Sequence, residues 1–206
     1  MDASDPPGAP APFTDPDLTA RGEPRARVAL EALETLWFNT GTLCNIECRN
    51  CYILSSPTND ALVYITAEEV RAYLDEIRDG GWPTREIGFT GGEPFMNPEM
   101  VEIAGLALSR GFEVLILTNA MRPMMRPRVR EGLARLVAEH GDRLTLRVSL
   151  DHHDPARHDE ERGAGGFAGS LEGMRWLRGI GARRTVGERT LWGEPEGGGR
   201  ERLAEL

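Results

Sequence analysis

The stretch Cys44-Asn45-Ile46-Glu47-Cys48-Arg49-Asn50-Cys51-Tyr52 holds every cysteine of the chain. An odd number of thiols so close together is a poor disulfide framework. In a reducing compartment such a cluster reads as metal binding or catalysis. Three thiolates at this spacing can wrap three corners of a cubic iron–sulfur cluster, a cofactor that cysteine normally ligates. A fourth iron left without a protein ligand would be free to bind something else, as catalytic metal sites keep an open position. The alternative is a structural zinc site completed by His152 or His153, far along the chain. Three inert buried thiols fit poorly with a loop this polar.

Strands and helices alternate outward from this loop. Before it, Leu36 to Asn39 reads as a first strand, and Thr40 to Ile65 as a long irregular connection of the kind that is usually functional. Thr66 with Glu69 forms a capping box, and Val70, Tyr73, Leu74 and Ile77 mark one face of the helix it opens. Gly80-Gly81 ends that helix. Glu86 to Phe89 is a second strand, leading into Thr90-Gly91-Gly92. Asn97 is expected to cap the next helix with Pro98 at its first position, and Gly111 to close it. Phe112 to Leu117 reads as a third strand, its apolar run Val114 to Leu117 having the pattern of a parallel strand buried on both faces. Val129, Leu133, Leu136, Val137 and His140 mark a third helix, and Leu144 to Leu150 a fourth strand. A helix with Leu171, Met174 and Leu177 follows over about 169–178. Residues 182–188 form a fifth strand despite Arg183 and Arg184, and 195–206 a last helix. Residues 1–24 are rich in proline and are expected to be a disordered arm, leaving 25–206 as one domain.

Such alternation implies an α/β fold: about five parallel strands with outer helices, curled by right-handed crossovers into a partial (β/α) barrel. Chemistry in that architecture gathers at the carboxyl ends of the strands. The unusual residues fall there: the cysteine loop, Gly91-Gly92-Glu93, Asn119, and Ser149 with Asp151.

Charge and composition exclude several classes. The net charge is −9 and the pI near 5.1, against the basic surface that a nucleic-acid binder needs. All 24 basic residues are arginine, which rules out a Schiff-base lysine and a lysine-containing phosphate loop. No apolar run is long enough to span a bilayer and no secretory signal is visible, so a cytoplasmic location is expected.

The motifs together resemble those of the radical S-adenosylmethionine (SAM) superfamily. C-x3-C-x2-C matches Cys44, Cys48 and Cys51; G-G-E-P matches Gly91 to Pro94; Leu117-Thr118-Asn119-Ala120 is similar to the family's T-N-G run. Val148-Ser149-Leu150-Asp151, with Asp159 to Gly163, resembles the fourth-strand run of the peptide-modifying and cofactor-building branches.

The resemblance implies a [4Fe-4S] cluster on Cys44, Cys48 and Cys51 whose open iron chelates SAM. One electron would cleave SAM to methionine and a 5′-deoxyadenosyl radical, which abstracts hydrogen from a substrate, here an unidentified peptide or cofactor precursor. It also implies an external one-electron donor such as flavodoxin or ferredoxin. Gly91 and Gly92 would let the backbone approach the methionyl end of SAM, and Glu93 would accept from its ammonium. Asn119 and Ser149 would bond its ribose or carboxylate, and Tyr52, just beyond the third cysteine, would be a further SAM-binding residue. Arg162 would meet the SAM carboxylate or Asp151, although an arginine there is ordinarily a surface residue, and His152 and His153 read as exposed loop residues. Three departures stand out. Asn50 occupies a position that is often aromatic, Ala120 replaces a glycine, and only five of the family's six strands are recognisable. A barrel incomplete at its C-terminal end is therefore expected, with a non-catalytic metal- or cluster-binding fragment as the alternative function.

Overall fold

Five short strands alternate with helices in the computed structural model, which describes residues 14–189 and residue 202. The chain divides into two compact units, one ending at Ala32 and one beginning at Leu33. In the first, the Thr19 N–H donates to the Glu23 carbonyl at 2.8 Å across a turn, beside an antiparallel bridge between Leu18 and Pro24. Residues 1–13 of the expected arm, and the expected last helix apart from Arg202, lie outside the described residues.

The second unit is built from β1 (Thr35–Asn39), α1 (Ala67–Asp79), β2 (Glu86–Thr90), α2 (Met100–Ser109), β3 (Glu113–Thr118), α3 (Pro127–His140), β4 (Leu144–Ser149), α4 (Pro155–Arg162), α5 (Gly166–Gly179) and β5 (Arg183–Gly187). All strand pairs are parallel, in the order β1-β2-β3-β4-β5. Each strand thus lies beside its predecessor, as repeated right-handed strand–helix–strand units dictate. β1 and β5 each pair with one neighbour, so the described sheet is an open partial barrel.

The register sorts the residues by face. Phe38, Phe89, Ile116 and Leu146 stand in line across neighbouring strands, all buried in the main core under the helices. On the opposite face the line runs Trp37, Gly88, Leu115, Thr145 and Arg183. The Trp37 ring lies over Gly88, where a Cβ would come within 2.4 Å of it. α1 buries Val70, Leu74 and Ile77, about 1.5–3 kcal/mol for each such side chain. Its capping box is formed: the Thr66 hydroxyl accepts from the Glu69 N–H and the Glu69 carboxylate accepts from the Thr66 N–H.

Four expectations are corrected. Tyr73 is half exposed, with its ring edge on Phe38, because it sits at the margin of the α1 stripe. α2 starts at Met100, since Pro94–Met96 forms a short 3₁₀ turn first; Asn97 still accepts from the Glu99 N–H at 2.9 Å. α5 begins at Gly166, three residues earlier than read. α4 was not anticipated, because its inward face is His158, Glu161 and Arg162 rather than apolar residues.

Candidate functional site

The cysteine loop is docked by its own backbone. Thr40 N–H donates to the Thr90 carbonyl at 2.8 Å, Gly92 N–H to Gly41 at 2.8 Å and Glu93 N–H to Leu43 at 3.1 Å. This continues the β1–β2 pairing past the end of the sheet. Further on, Leu43 bridges Ser56, with Cys44 N–H on the Ser56 carbonyl at 3.0 Å. So close an approach leaves no room for side chains. A Cβ on Gly92 would lie 2.2 Å from the Leu43 oxygen, and one on Gly91, whose φ is +146°, would lie 2.7 Å from the Gly41 oxygen.

At the carboxyl ends of the strands lies a cavity of about 300 Å³. Cys44, Cys48, Cys51, Tyr52, Gly91, Gly92, Asn119 and Ser149 all line it, together with Arg147, Asp151, Arg162 and Arg189. Each sulfur has a nitrogen donor: Asn119 Nδ2 is 3.9 Å from Cys44 Sγ, Arg162 Nη1 is 3.9 Å from Cys48 Sγ, and Ser55 N–H donates to Cys51 Sγ at 3.2 Å. Burial pushes the Cys44 thiol up to about 11. It raises Cys48 as well, against the pull of the Arg162 guanidinium. No disulfide joins the three.

Glu93 does not line the cavity. It is 2% exposed, and its carboxylate accepts from Thr118 Oγ1 at 2.7 Å, Asn119 N–H at 2.8 Å and Phe95 N–H at 3.2 Å. Burial drives its pKa up to about 7 despite these bonds. Glu93 therefore fixes the turn after β3 from beneath. Asn119, held there, donates through Nδ2 to Asn45 Oδ1 at 2.9 Å. The next residue, Ala120, has φ +58°, a left-handed conformation that costs a residue with a Cβ about 1–2 kcal/mol. That conformation explains why a glycine suits this position.

Arg162 is not a surface residue. Its Nε and Nη2 hold Asp151 at 2.7 and 2.9 Å, and both side chains are nearly inaccessible. His152 is buried as well, accepting from the Asp154 N–H at 2.8 Å, which corrects its reading as an exposed residue; its ring stacks on His153. Neither histidine lines the cavity, so neither supplies zinc with a fourth ligand there. Among the described residues, no group of three or more His, Cys, Asp or Glu side chains is arranged to hold a metal ion. No described helix is long and apolar enough to cross a membrane.

Glu161 and Arg189 are site residues that the sequence reading missed. The Glu161 carboxylate accepts from Asn50 N–H at 2.9 Å and Asn50 Nδ2 at 2.7 Å, and it pairs with Arg189. The usable signal was Asp154-Pro155, an N-cap residue followed by a first-turn proline, which announces α4.

A model of the Radical SAM superfamily matches residues 38–196. The chain belongs to the radical SAM superfamily. It is 33% identical over 154 residues to the antilisterial bacteriocin subtilosin biosynthesis protein AlbA of Bacillus subtilis, covering 72% of this chain and 32% of that one. It is 30% identical over 136 residues to the AdoMet-dependent heme synthase of Methanosarcina barkeri, covering 66% and 36%. Streptococcus suis SuiB bound to S-adenosylmethionine superposes with a TM-score of 0.67 at 17% identity, covering 84% of this chain and 37% of SuiB; at that identity the likeness concerns the fold. This radical SAM chain spans about a third of the length of these relatives.

Proposed function

We propose that this chain is the cluster- and SAM-binding part of a radical SAM enzyme, with Cys44, Cys48 and Cys51 holding a [4Fe-4S] cluster. The observation that carries the reading is the shared cavity: three free thiols line it beside Gly91, Gly92, Asn119 and Ser149. The donor set suits such a cluster. Its ligands are thiolates spread over separate irons, and hydrogen bonds to the sulfurs tune its potential; here a nitrogen donor stands beside each sulfur. A single zinc ion would instead need four ligands at about 2.0–2.3 Å from one point.

When bound, the reduced cluster would supply the electron that splits SAM into methionine and a 5′-deoxyadenosyl radical. The chain's own residues bind and orient. The Gly91-Gly92 backbone offers a surface free of side chains to the methionyl end, and Asn119 and Ser149 present hydrogen-bonding groups. Glu93 acts through Asn119 and the Thr118 hydroxyl, holding the edge of the SAM site in place. Tyr52, largely exposed, lines the mouth and would be a further contact for SAM. The electron would come from an external donor of the flavodoxin or ferredoxin type, in the cytoplasm. The substrate would be a peptide or cofactor precursor, in keeping with relatives named for bacteriocin biosynthesis and heme synthesis.

A second reading is a metal- or cluster-binding fragment without turnover. The coverage of about a third of the relatives weighs toward it for the chain taken by itself, while the lack of an arranged metal-holding group among the described residues bears on both readings alike. One experiment separates the two. Anaerobically reconstituted protein should carry about 4 irons and 4 sulfides, lost on replacing any of the three cysteines by alanine. Reduced with dithionite in the presence of SAM, it should release 5′-deoxyadenosine. Cluster uptake without 5′-deoxyadenosine would establish the fragment, and no iron–sulfur uptake at all would end the first reading.

A further inference from the structure

Asn50 sits between Cys48 and Cys51, and its side chain does not point into the cavity. It turns outward to α4, where both its backbone N–H and its Nδ2 donate to the two oxygens of Glu161. The neighbouring Arg49 N–H donates to the Glu161 carbonyl at 2.9 Å, so one residue of α4 receives three hydrogen bonds from two consecutive loop residues. The Glu161 side chain is 2% exposed and is itself held by the Arg189 guanidinium, which also reaches the Asn50 carbonyl at 3.3 Å. A second, exposed ion pair joins Arg49 to Glu160 at 2.7 Å. The next residue of α4, Arg162, reaches Cys48 Sγ while bound to Asp151.

A buried carboxylate with this many donors is a fixed point, because a charged hydrogen bond in a dry setting is strong and leaving one partner unmade is costly. The other bonds of this segment are local or long: Cys51 N–H reaches the Cys48 carbonyl at 3.3 Å, Leu54 N–H reaches the Cys51 carbonyl at 3.1 Å, Ser55 N–H reaches the Cys51 sulfur at 3.2 Å, and Arg162 Nη1 stands 3.9 Å from the Cys48 sulfur. Its first thiol is held differently, through the β1–β2 continuation and Ser56.

We propose that Glu161 is a positioning residue for the cysteine loop: through Asn50 it sets the placement of Cys48 and Cys51, but not that of Cys44. Asn50 is accordingly a latch to α4, which gives a role to a position where an aromatic residue would have no partner on Glu161. The functional meaning of the latch rests on the cluster reading above, but its geometry can be tested without any cluster.

The test measures alkylation of each cysteine in metal-free protein by N-ethylmaleimide, read site by site by mass spectrometry. Asn50→Ala removes an exposed amide, and Glu161→Gln removes the charge. Both should speed modification of Cys48 and Cys51 about tenfold or more, the scale of one charged hydrogen bond, and leave Cys44 unchanged. The double variant should be no faster than the faster single one, since both remove one latch. Unchanged rates in Asn50→Ala, or an equal rise at all three cysteines, would overturn the proposal; the equal rise would signify general loosening of the fold. On reconstituted protein the same variants should lose iron to a chelator faster and give an altered electron paramagnetic resonance spectrum. If the parent protein takes up no iron, the cluster reading fails while the alkylation pattern still decides the latch.

Discussion

Gly92→Ala separates a packing requirement from a conformational one. Gly92, unlike Gly91, does not have the positive φ that favours glycine, so alanine fits its backbone and only the space is at issue. The new Cβ would stand 2.2 Å from the Leu43 oxygen, 2.6 Å from its carbonyl carbon and 2.8 Å from the Thr42 oxygen. Carbon and oxygen rest at about 3.3–3.6 Å, so the loop backbone must retreat by about 1 Å. Both local hydrogen bonds, Gly92 N–H to Gly41 and Glu93 N–H to Leu43, would then stretch beyond useful length. Two lost bonds at about 0.5–1.5 kcal/mol each, with about 1–3 kcal/mol for overpacking, put the cost at about 2–6 kcal/mol. Urea unfolding of metal-free protein measures it. Gly81→Ala is the control: its φ is +63° with nothing within 4 Å of a Cβ, so only the left-handed backbone penalty of about 1–2 kcal/mol applies. A Gly92→Ala protein within about 0.5 kcal/mol of the parent, the range of a neutral surface change, would refute the docking of the cysteine loop on the glycine pair.

Glu93 gives stability a pH dependence of unusual sign. Its pKa is about 7 in the folded chain against an ordinary 4.5, so the folded state binds the proton more tightly. Its contribution is full below about pH 4.5 and lost as pH rises through 7, on the order of 3 kcal/mol in all; urea unfolding from pH 5 to 8 should show this slope in the parent and not in Glu93→Gln. Asp151→Ala strips the buried Arg162 of its bidentate partner and should cost about 3–5 kcal/mol in the same assay, far more than a surface change. Ala120→Gly relieves the left-handed φ but removes a fully buried methyl, so the two terms of about 1–2 and 0.8 kcal/mol nearly cancel; thermal melting should move by only a few degrees.

The parts of this fold that rest on apolar pattern and caps were readable from the sequence. Ile87, Phe89, Val114, Ile116, Leu144 and Leu146 alternate or run together as buried parallel strands must, and Thr66 with Glu69 announced α1. β5 followed from its place in the alternation, although Arg183 and Arg184 argued against it. The gathering of Cys44, Gly91, Asn119 and Ser149 at one mouth followed from topology, since each ends or follows a strand. What pattern could not supply was α4. Its buried residues are charged, and a hydrophobic stripe cannot reveal a helix held by Asp151 with Arg162 and by Glu161 with Asn50. For the same reason spacing identifies the turn on which Glu93 sits, but not that Thr118, Asn119 and Phe95 donate to its carboxylate.

The bond between Asn50 and Glu161 joins positions 111 residues apart. The sheet grows by neighbours, each strand beside the one made just before it, so β1 to β4 can pair as the chain lengthens. The segment carrying Cys48 and Cys51 has no such early partner. At a synthesis rate of about 5–20 residues per second, it waits on the order of 6–20 s for α4 to be made. During that interval these two thiols belong to a nascent loop that nothing distant restrains, when they would be most open to iron carriers and to oxidants alike. The maturation of such a protein is thus timed by how late in the chain its latch is encoded.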